Sequence, residues 1–244
     1  MEKYFESVNC NNIKEIVYNS AKKFKENIAF VIKHKNEKNE VEYENITYSK
    51  LLQDINNFGT KLFNMGLKNK RIAIVGRNRY EWVVTHFANL LGGIVSIPLD
   101  KELQVDELES CLERSKADVV VFDEKYTENI EKIKQNRKTN LQEFICMTEK
   151  EGYKNFWTLK DEGADILKSG NTEYVDCEID NDKMAILLFT SGTTSKSKAV
   201  MLSNRNIASN VYAMLLVEDM RSTDNNLAFL PFHHIFGSTC MIVM

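Results

Sequence analysis

The chain has 244 residues, 43% of them apolar, and a formal net charge of −3 with both signs interspersed. That apolar share is enough to bury a sizeable core in one large domain or two small ones. The charge balance leaves no electrostatic footprint for nucleic acid, and no apolar run approaches membrane-spanning length.

The opening stretch MEKYFESVNC lacks the apolar segment of a signal peptide. Cys10, Cys111, Cys146, Cys177 and Cys240 are scattered, with no Cys/His grouping that would suit zinc, so no metal ligand is assigned. They read as buried thiols in a reducing compartment, and the expected location is the cytoplasm.

Apolar residues at helical spacing predict a helix over Asn12–Glu26. Ile28–Lys33 and Val41–Ile46 read as two strands around a polar turn, which includes His34. A helix then begins at Thr47-Tyr48-Ser49 and stops at Gly66. From Lys70 the pattern alternates. Arg71–Val75, Ile94–Pro98, Val119–Phe122 and Glu143–Met147 read as strands. Arg79–Leu91, Gln104–Lys116 and Thr127–Arg137 read as helices between them. Such alternation implies a mostly parallel sheet with helices on both faces. Asn78 is expected to cap the Arg79–Leu91 helix, His86 to be structural, and Gly93 to admit a close crossing. Glu149–Asp182 is polar with one helix, Trp157–Lys168, and reads as a variable excursion.

Met184–Phe189 is a short apolar run, as expected of a strand buried on both faces. It breaks into Thr190, Ser191, Gly192, Thr193 and Thr194, followed by Lys196 and Lys198. Hydroxyl donors, a glycine that lets backbone approach a bulky group, and nearby cations suit polyphosphate. A Walker loop is excluded by spacing: counting from Gly192, Ser197 stands at the second glycine and Ala199 at the final Ser/Thr. After the loop, Ser203 is placed to cap a helix over about Asn204–Leu216. Asn226–Leu230 reads as a strand, and Pro231-Phe232-His233-His234-Ile235-Phe236-Gly237 follows.

Phe189–Val200 resembles the phosphate loop of the AMP-forming acyl- and aryl-CoA ligases, luciferases and peptide-synthetase adenylation domains. That pattern reads Tyr/Phe-Thr-Ser-Gly-Thr-Thr-Gly-x-Pro-Lys-Gly-Val. Phe189 to Thr194, Lys198 and Val200 match it. Ser195, Ser197 and Ala199 depart from it, replacing a glycine, the proline and another glycine. The Pro231–Gly237 segment is similar to the family's second motif. Gly76–Trp82 and Gly92–Leu99 resemble its long-chain acyl-CoA synthetase branch.

The resemblance implies an α/β fold with a mostly parallel sheet flanked by helices. Residues 1–69 would form an N-terminal helix and strand-pair segment belonging to a second, incomplete sheet. Residues 70–244 would form the adenylate-forming core. It implies ATP, Mg²⁺ and CoA, and a fatty acid or other carboxylate as substrate. Thr190, Ser191, Gly192, Thr193, Thr194 and Lys198 would hold the ATP phosphates. His234 would be catalytic, and His233, His234, Phe236 and Gly237 would line the acyl/adenylate pocket. An imidazole suits that position because it can donate a hydrogen bond to developing negative charge. No segment matches the family's adenine site, its magnesium-holding Thr-Glu, its ribose-binding aspartate or its adenylation lysine. With the apolar segment Ile235–Met244 left uncapped, the sequence reads as the N-terminal half of such a ligase, inactive without the C-terminal half. The alternative is a non-catalytic nucleotide- or acyl-binding or interaction module with a degenerate phosphate loop.

Overall fold

The computed structural model of the chain describes residues 7–36, 38–190 and 197–243. Its elements in order are α1 (Ile13–Lys23), β1 (Ile28–Lys35), β2 (Val41–Thr47), α2 (Tyr48–Asn64), β3 (Arg71–Val75), α3 (Tyr80–Leu91) and β4 (Val95–Leu99). There follow α4 (Val105–Ser115), β5 (Val119–Phe122), α5 (Thr127–Asn136), β6 (Glu143–Cys146), β7 (Lys154–Asn155) and α6 (Phe156–Lys168). The chain then forms β8 (Met184–Thr190), β9 (Lys198–Ser203), α7 (Asn204–Leu215) and α8 (Ile235–Ser238), with a π-helical stretch over Thr239–Val243.

The fold is α/β. Seven strands run in the order β7-β6-β5-β3-β4-β8-β9, and β1 and β2 pair separately as an antiparallel ribbon. All neighbours in the large sheet are parallel except β8 and β9. Strand residues alternate between faces, so one strand serves two cores. Ile72, Ile74, Val119 and Val121 join one core with α1, α2, α3, α6 and α7. Ala73, Val75, Val120 and Phe122 join the other with α4 and α5. This is why the central strands read as unbroken apolar runs. Caps fix several helix starts. Asn12, Thr47, Asn155 and Ser203 each accept a backbone N–H from the first turn, and Ser203 forms a reciprocal capping box with Asn206.

Several expectations fail for identifiable reasons. Residues 149–182 are no excursion. They supply β7 to the sheet, Phe156 and Leu159 to the core, and the fully buried Tyr174. Residues 226–230 form no strand. Their carbonyls at Ala228 and Leu230 accept from the Asn78 side chain, at 3.0 and 2.8 Å, instead of joining a ladder. Asn78 is thereby withdrawn from capping, and Arg79 stands at the start of α3 with no side-chain cap bond. Gly93 has open space around it and is needed for its φ of +66°. The close approach is at Gly92, where a Cβ would lie 2.6 Å from the Tyr174 ring. His34 belongs to β1, facing Glu42 at 3.5 Å.

His86 is structural, as expected. It lies fully inside α3 with Nδ1 2.8 Å from Ser96 Oγ, and burial lowers its pKa to about 3. The unfolded chain takes up that proton at the ordinary value of about 6.5. Protons therefore favour the unfolded state. The stability is fully present above that value and drains by roughly 1.4 kcal/mol per pH unit as pH falls toward the folded value. Denaturant titrations at about pH 7.5 and about pH 5.5 should show this loss before carboxylates titrate. His86→Gln should flatten the slope, and an unchanged slope in that variant would refute the assignment.

Candidate functional site

Ligands of open parallel sheets bind beyond the carboxyl ends of strands, commonly where strand order reverses. Here that reversal lies between β3 and β5, and it is filled. Asp123, fully buried, accepts from Arg77 Nε at 2.6 Å and Nη2 at 2.8 Å. Arg79 Nη1 stands 3.6 Å away and also donates to Glu124 at 2.9 Å. Burial alone would raise the Asp123 carboxyl. The bonds from Arg77 and the Lys125 N–H prevail and hold it down at about 2. The two-point ion pair ties the end of β3 to the end of β5 across this crevice.

The open edge is further along, at the ends of β4 and β8. Ser96 pairs with Ile186, so the turn after Leu99 runs alongside the end of β8. Thr190 closes β8 and faces Lys198, which opens β9. Both side chains are exposed, and Thr190 Oγ1 lies 3.5 Å from the Lys198 carbonyl. Ser191, Gly192, Thr193 and Thr194 lie outside the described residues, between these two ends. Among the described residues, nothing forms an ion pair with the Lys198 ammonium. A hydroxyl and an unpaired cation at a sheet end fit an anionic ligand. No group of three or more His, Cys, Asp or Glu among the described residues could hold a metal.

The second motif reaches the same edge. Asn78 bonds the carbonyls of Ala228 and Leu230, and its Oδ1 accepts from the Phe232 N–H at 3.1 Å. Phe232 is buried with its ring 5.4 Å from Trp82. These anchors carry His233 to Asp100, the residue after β4. His233 Nε2 is 3.6 Å from Asp100 Oδ1 and has no hydrogen-bond partner among the described residues. Burial lowers the pKa of His233, and Asp100 opposes that shift only in part. Its ring lies 4.3 Å from that of His234. His234 is exposed at the start of α8, and Phe236 beside it is 62% exposed. Gly237 closes the turn: a Cβ there would sit 2.2 Å from the Pro231 carbonyl oxygen. Four motif residues, His233, His234, Phe236 and Gly237, thus stand together, with two exposed rings beside a half-buried one. A separate hollow of about 620 Å³, floored by Ala21, Leu52, Ala164 and Leu167, lies among α1, α2 and α6, away from both motifs.

Sequence reading missed two residues here. Asp100 follows Leu99 with nothing local to mark it. Arg114, in the last turn of α4, donates from Nη2 to the Ser197 carbonyl at 2.6 Å and from Nη1 to Ser197 Oγ at 3.2 Å. Its position on an exposed helix end reads only as a solvated charge.

A family model described as AMP-binding enzyme matches residues 17–244. The mitochondrial medium-chain acyl-CoA ligase of Danio rerio is 28% identical over 218 residues, covering 79% of this chain and 35% of that protein. A long-chain-fatty-acid-CoA ligase from Archaeoglobus fulgidus superposes with a TM-score of 0.79 at 18% identity, over 99% of this chain and 48% of that one. A red-emitting luciferase from Phrixothrix hirtus gives 0.80 at 20%, over 100% and 46%. The two structural likenesses show the fold. The chain spans about a third of the length of the Danio relative.

Proposed function

This chain belongs to the AMP-binding enzyme family, and from that premise we propose that it carries the phosphate loop and acyl-pocket motif of an AMP-forming acid-thiol ligase. The parent reaction has two steps. A carboxylate oxygen attacks the α-phosphorus of ATP, forming acyl-AMP and expelling pyrophosphate. The CoA thiolate then attacks the acyl carbon, forming the thioester and expelling AMP.

In this reading Thr190, Ser191, Gly192, Thr193, Thr194 and Lys198 hold the β- and γ-phosphates. Their N–H, hydroxyl and ammonium donors stabilise charge growing on the departing pyrophosphate. His234 orients the acyl carboxylate, while His233, Phe236 and Gly237 line the pocket around it. The observation that carries the reading is the pairing of Thr190 with Lys198 at a parallel strand's carboxyl end. Mg²⁺ would neutralise phosphate charge when bound, but no magnesium ligand is assigned to this chain, and none of its residues is assigned to CoA. The proposed substrate is a fatty acid or related carboxylate. Support for it comes from the motif residues and from relatives such as the Danio medium-chain acyl-CoA ligase. Residues 1–69 would form the helix and strand-pair segment and residues 70–244 the adenylate-forming core. Free cysteines fit a reducing compartment such as the cytoplasm.

Lacking a match to the family's adenine, ribose and magnesium contacts, the 244 residues alone should form little acyl-CoA. The test is to incubate the natural polypeptide bearing this chain with ATP, magnesium, CoA and a panel of carboxylates. AMP and acyl-CoA should appear together. No nucleotide turnover at all would favour the non-catalytic binding module, a reading supported by the departures at Ser195, Ser197 and Ala199, and ADP in place of AMP would refute both readings.

A further inference from the structure

The residue before Lys198 is Ser197, where the resembling loop pattern has proline. Proline fixes φ and stiffens the chain, and serine leaves that torsion free. Something else must hold the backbone if Lys198 is to be aimed.

The structure supplies such a hold from a different element. Arg114 makes two bonds to this one residue, Nη2 to the Ser197 carbonyl at 2.6 Å and Nη1 to its hydroxyl at 3.2 Å. The same guanidinium lies 5.2 Å from the centroid of the Phe189 ring, just before Thr190 on β8. One turn earlier on the same face of α4, Cys111 Sγ stands 3.9 Å from Ser197 Oγ. The end of α4 therefore grips both strands, where the chain leaves β8 and where it re-enters β9.

We infer that Arg114 is a positioning residue: its planar fork does for Ser197 what a proline ring would do, holding the backbone so that Lys198 is presented beside Thr190. The inference rests on the proposed ATP-phosphate role of Lys198. Arg114 need not touch the nucleotide. If the grip is lost, fewer molecules present Lys198 correctly at any instant, and apparent affinity falls by that fraction. A lysine keeps the charge but cannot make the two-point contact.

The experiment uses the natural full-length chain and measures MgATP affinity by calorimetry, with melting temperature as a check on folding. Arg114→Ala should weaken MgATP by about three- to tenfold, as expected for losing hydrogen bonds to neutral groups. Arg114→Lys should resemble Arg114→Ala. Adding Ser197→Pro to Arg114→Ala should restore most of the affinity. Amide exchange at Lys198 and Ala199 should quicken in Arg114→Ala and slow again in the proline double variant, a readout independent of nucleotide. Full retention of affinity in Arg114→Lys would show that charge alone acts and overturn the inference. So would failure of proline to rescue, or unchanged affinity in Arg114→Ala. Lys198→Ala is the control. If it leaves affinity unchanged, the phosphate-loop reading falls and takes this inference with it. The exchange data would still report whether the grip exists.

Discussion

Tyr174→Ala is expected to destabilise the fold by about 3–5 kcal/mol, the range for removing a large buried aromatic side chain. The ring is wholly enclosed, in a slot formed by two glycines. A Cβ on Gly59 would lie 2.1 Å from the ring's Cζ, and one on Gly92 would lie 2.6 Å from its Cε2. Because the two glycine walls are bare backbone, they carry no side chain that could swing in to fill the void. Phe63 meets the ring edge-on at 5.1 Å, and the hydroxyl donates to the Ala88 carbonyl at 2.9 Å. Tyr174→Phe keeps the shape and loses only that bond, so it should cost about 1 kcal/mol. Urea titration of both variants separates the two contributions. An alanine variant no worse than the phenylalanine one would mean that the slot collapses freely.

That residue also marks where sequence reading stopped. The central strands of the large sheet were legible because burial on both faces forces unbroken apolar runs, as in Ile72–Val75 and Val119–Phe122, whereas the two-residue β7 and the exposed β9 carry no such run. Helix starts were legible where a polar side chain caps its own first turn, as at Asn12 and Ser203. Tyr174 lies in a polar stretch whose composition resembles an exposed loop, and its partners Gly59, Ala88 and Gly92 are distant in sequence. The same holds for Asn78. Its local context favours a cap, while its actual bonds go to Ala228, Leu230 and Phe232. Residues 226–230 have strand-like composition but spend their carbonyls on that side chain. In the candidate site, the hydroxyl-rich loop suggests phosphate by its chemistry, and the roles proposed for the Pro231–Gly237 segment come from the family resemblance. Their supports, Asp100 and Arg114, were not legible, because each acts across a contact that only the folded chain creates.

Lys198→Ala should weaken ATP use by about 1.5–3 kcal/mol, the worth of a charge-assisted hydrogen bond to an ionised group. On the rate scale that is roughly ten- to a hundredfold. Lys198 is exposed at the first position of β9, paired in register with Thr190 at the end of β8. Among the described residues no carboxylate claims its ammonium, so its charge is available to a ligand. The alanine variant loses only that side chain beyond Cβ. Because its backbone pairing with Thr190 stays, the fold should be indifferent to the change. Surface positions of this kind usually shift stability by less than about 0.5 kcal/mol. The effect should fall on ATP and leave carboxylate binding nearly untouched, since the segment proposed to line the acyl pocket, His233–Gly237, is held by its own anchors, Asn78 and Trp82. Pyrophosphate exchange measured against ATP, and separately against carboxylate, distinguishes the two. A raised apparent KM for ATP with an unchanged one for carboxylate is the expected pattern. Unchanged ATP affinity would remove Lys198 from the phosphate site. An equal loss for both substrates would mean that it supports the edge as a whole and does not hold the nucleotide.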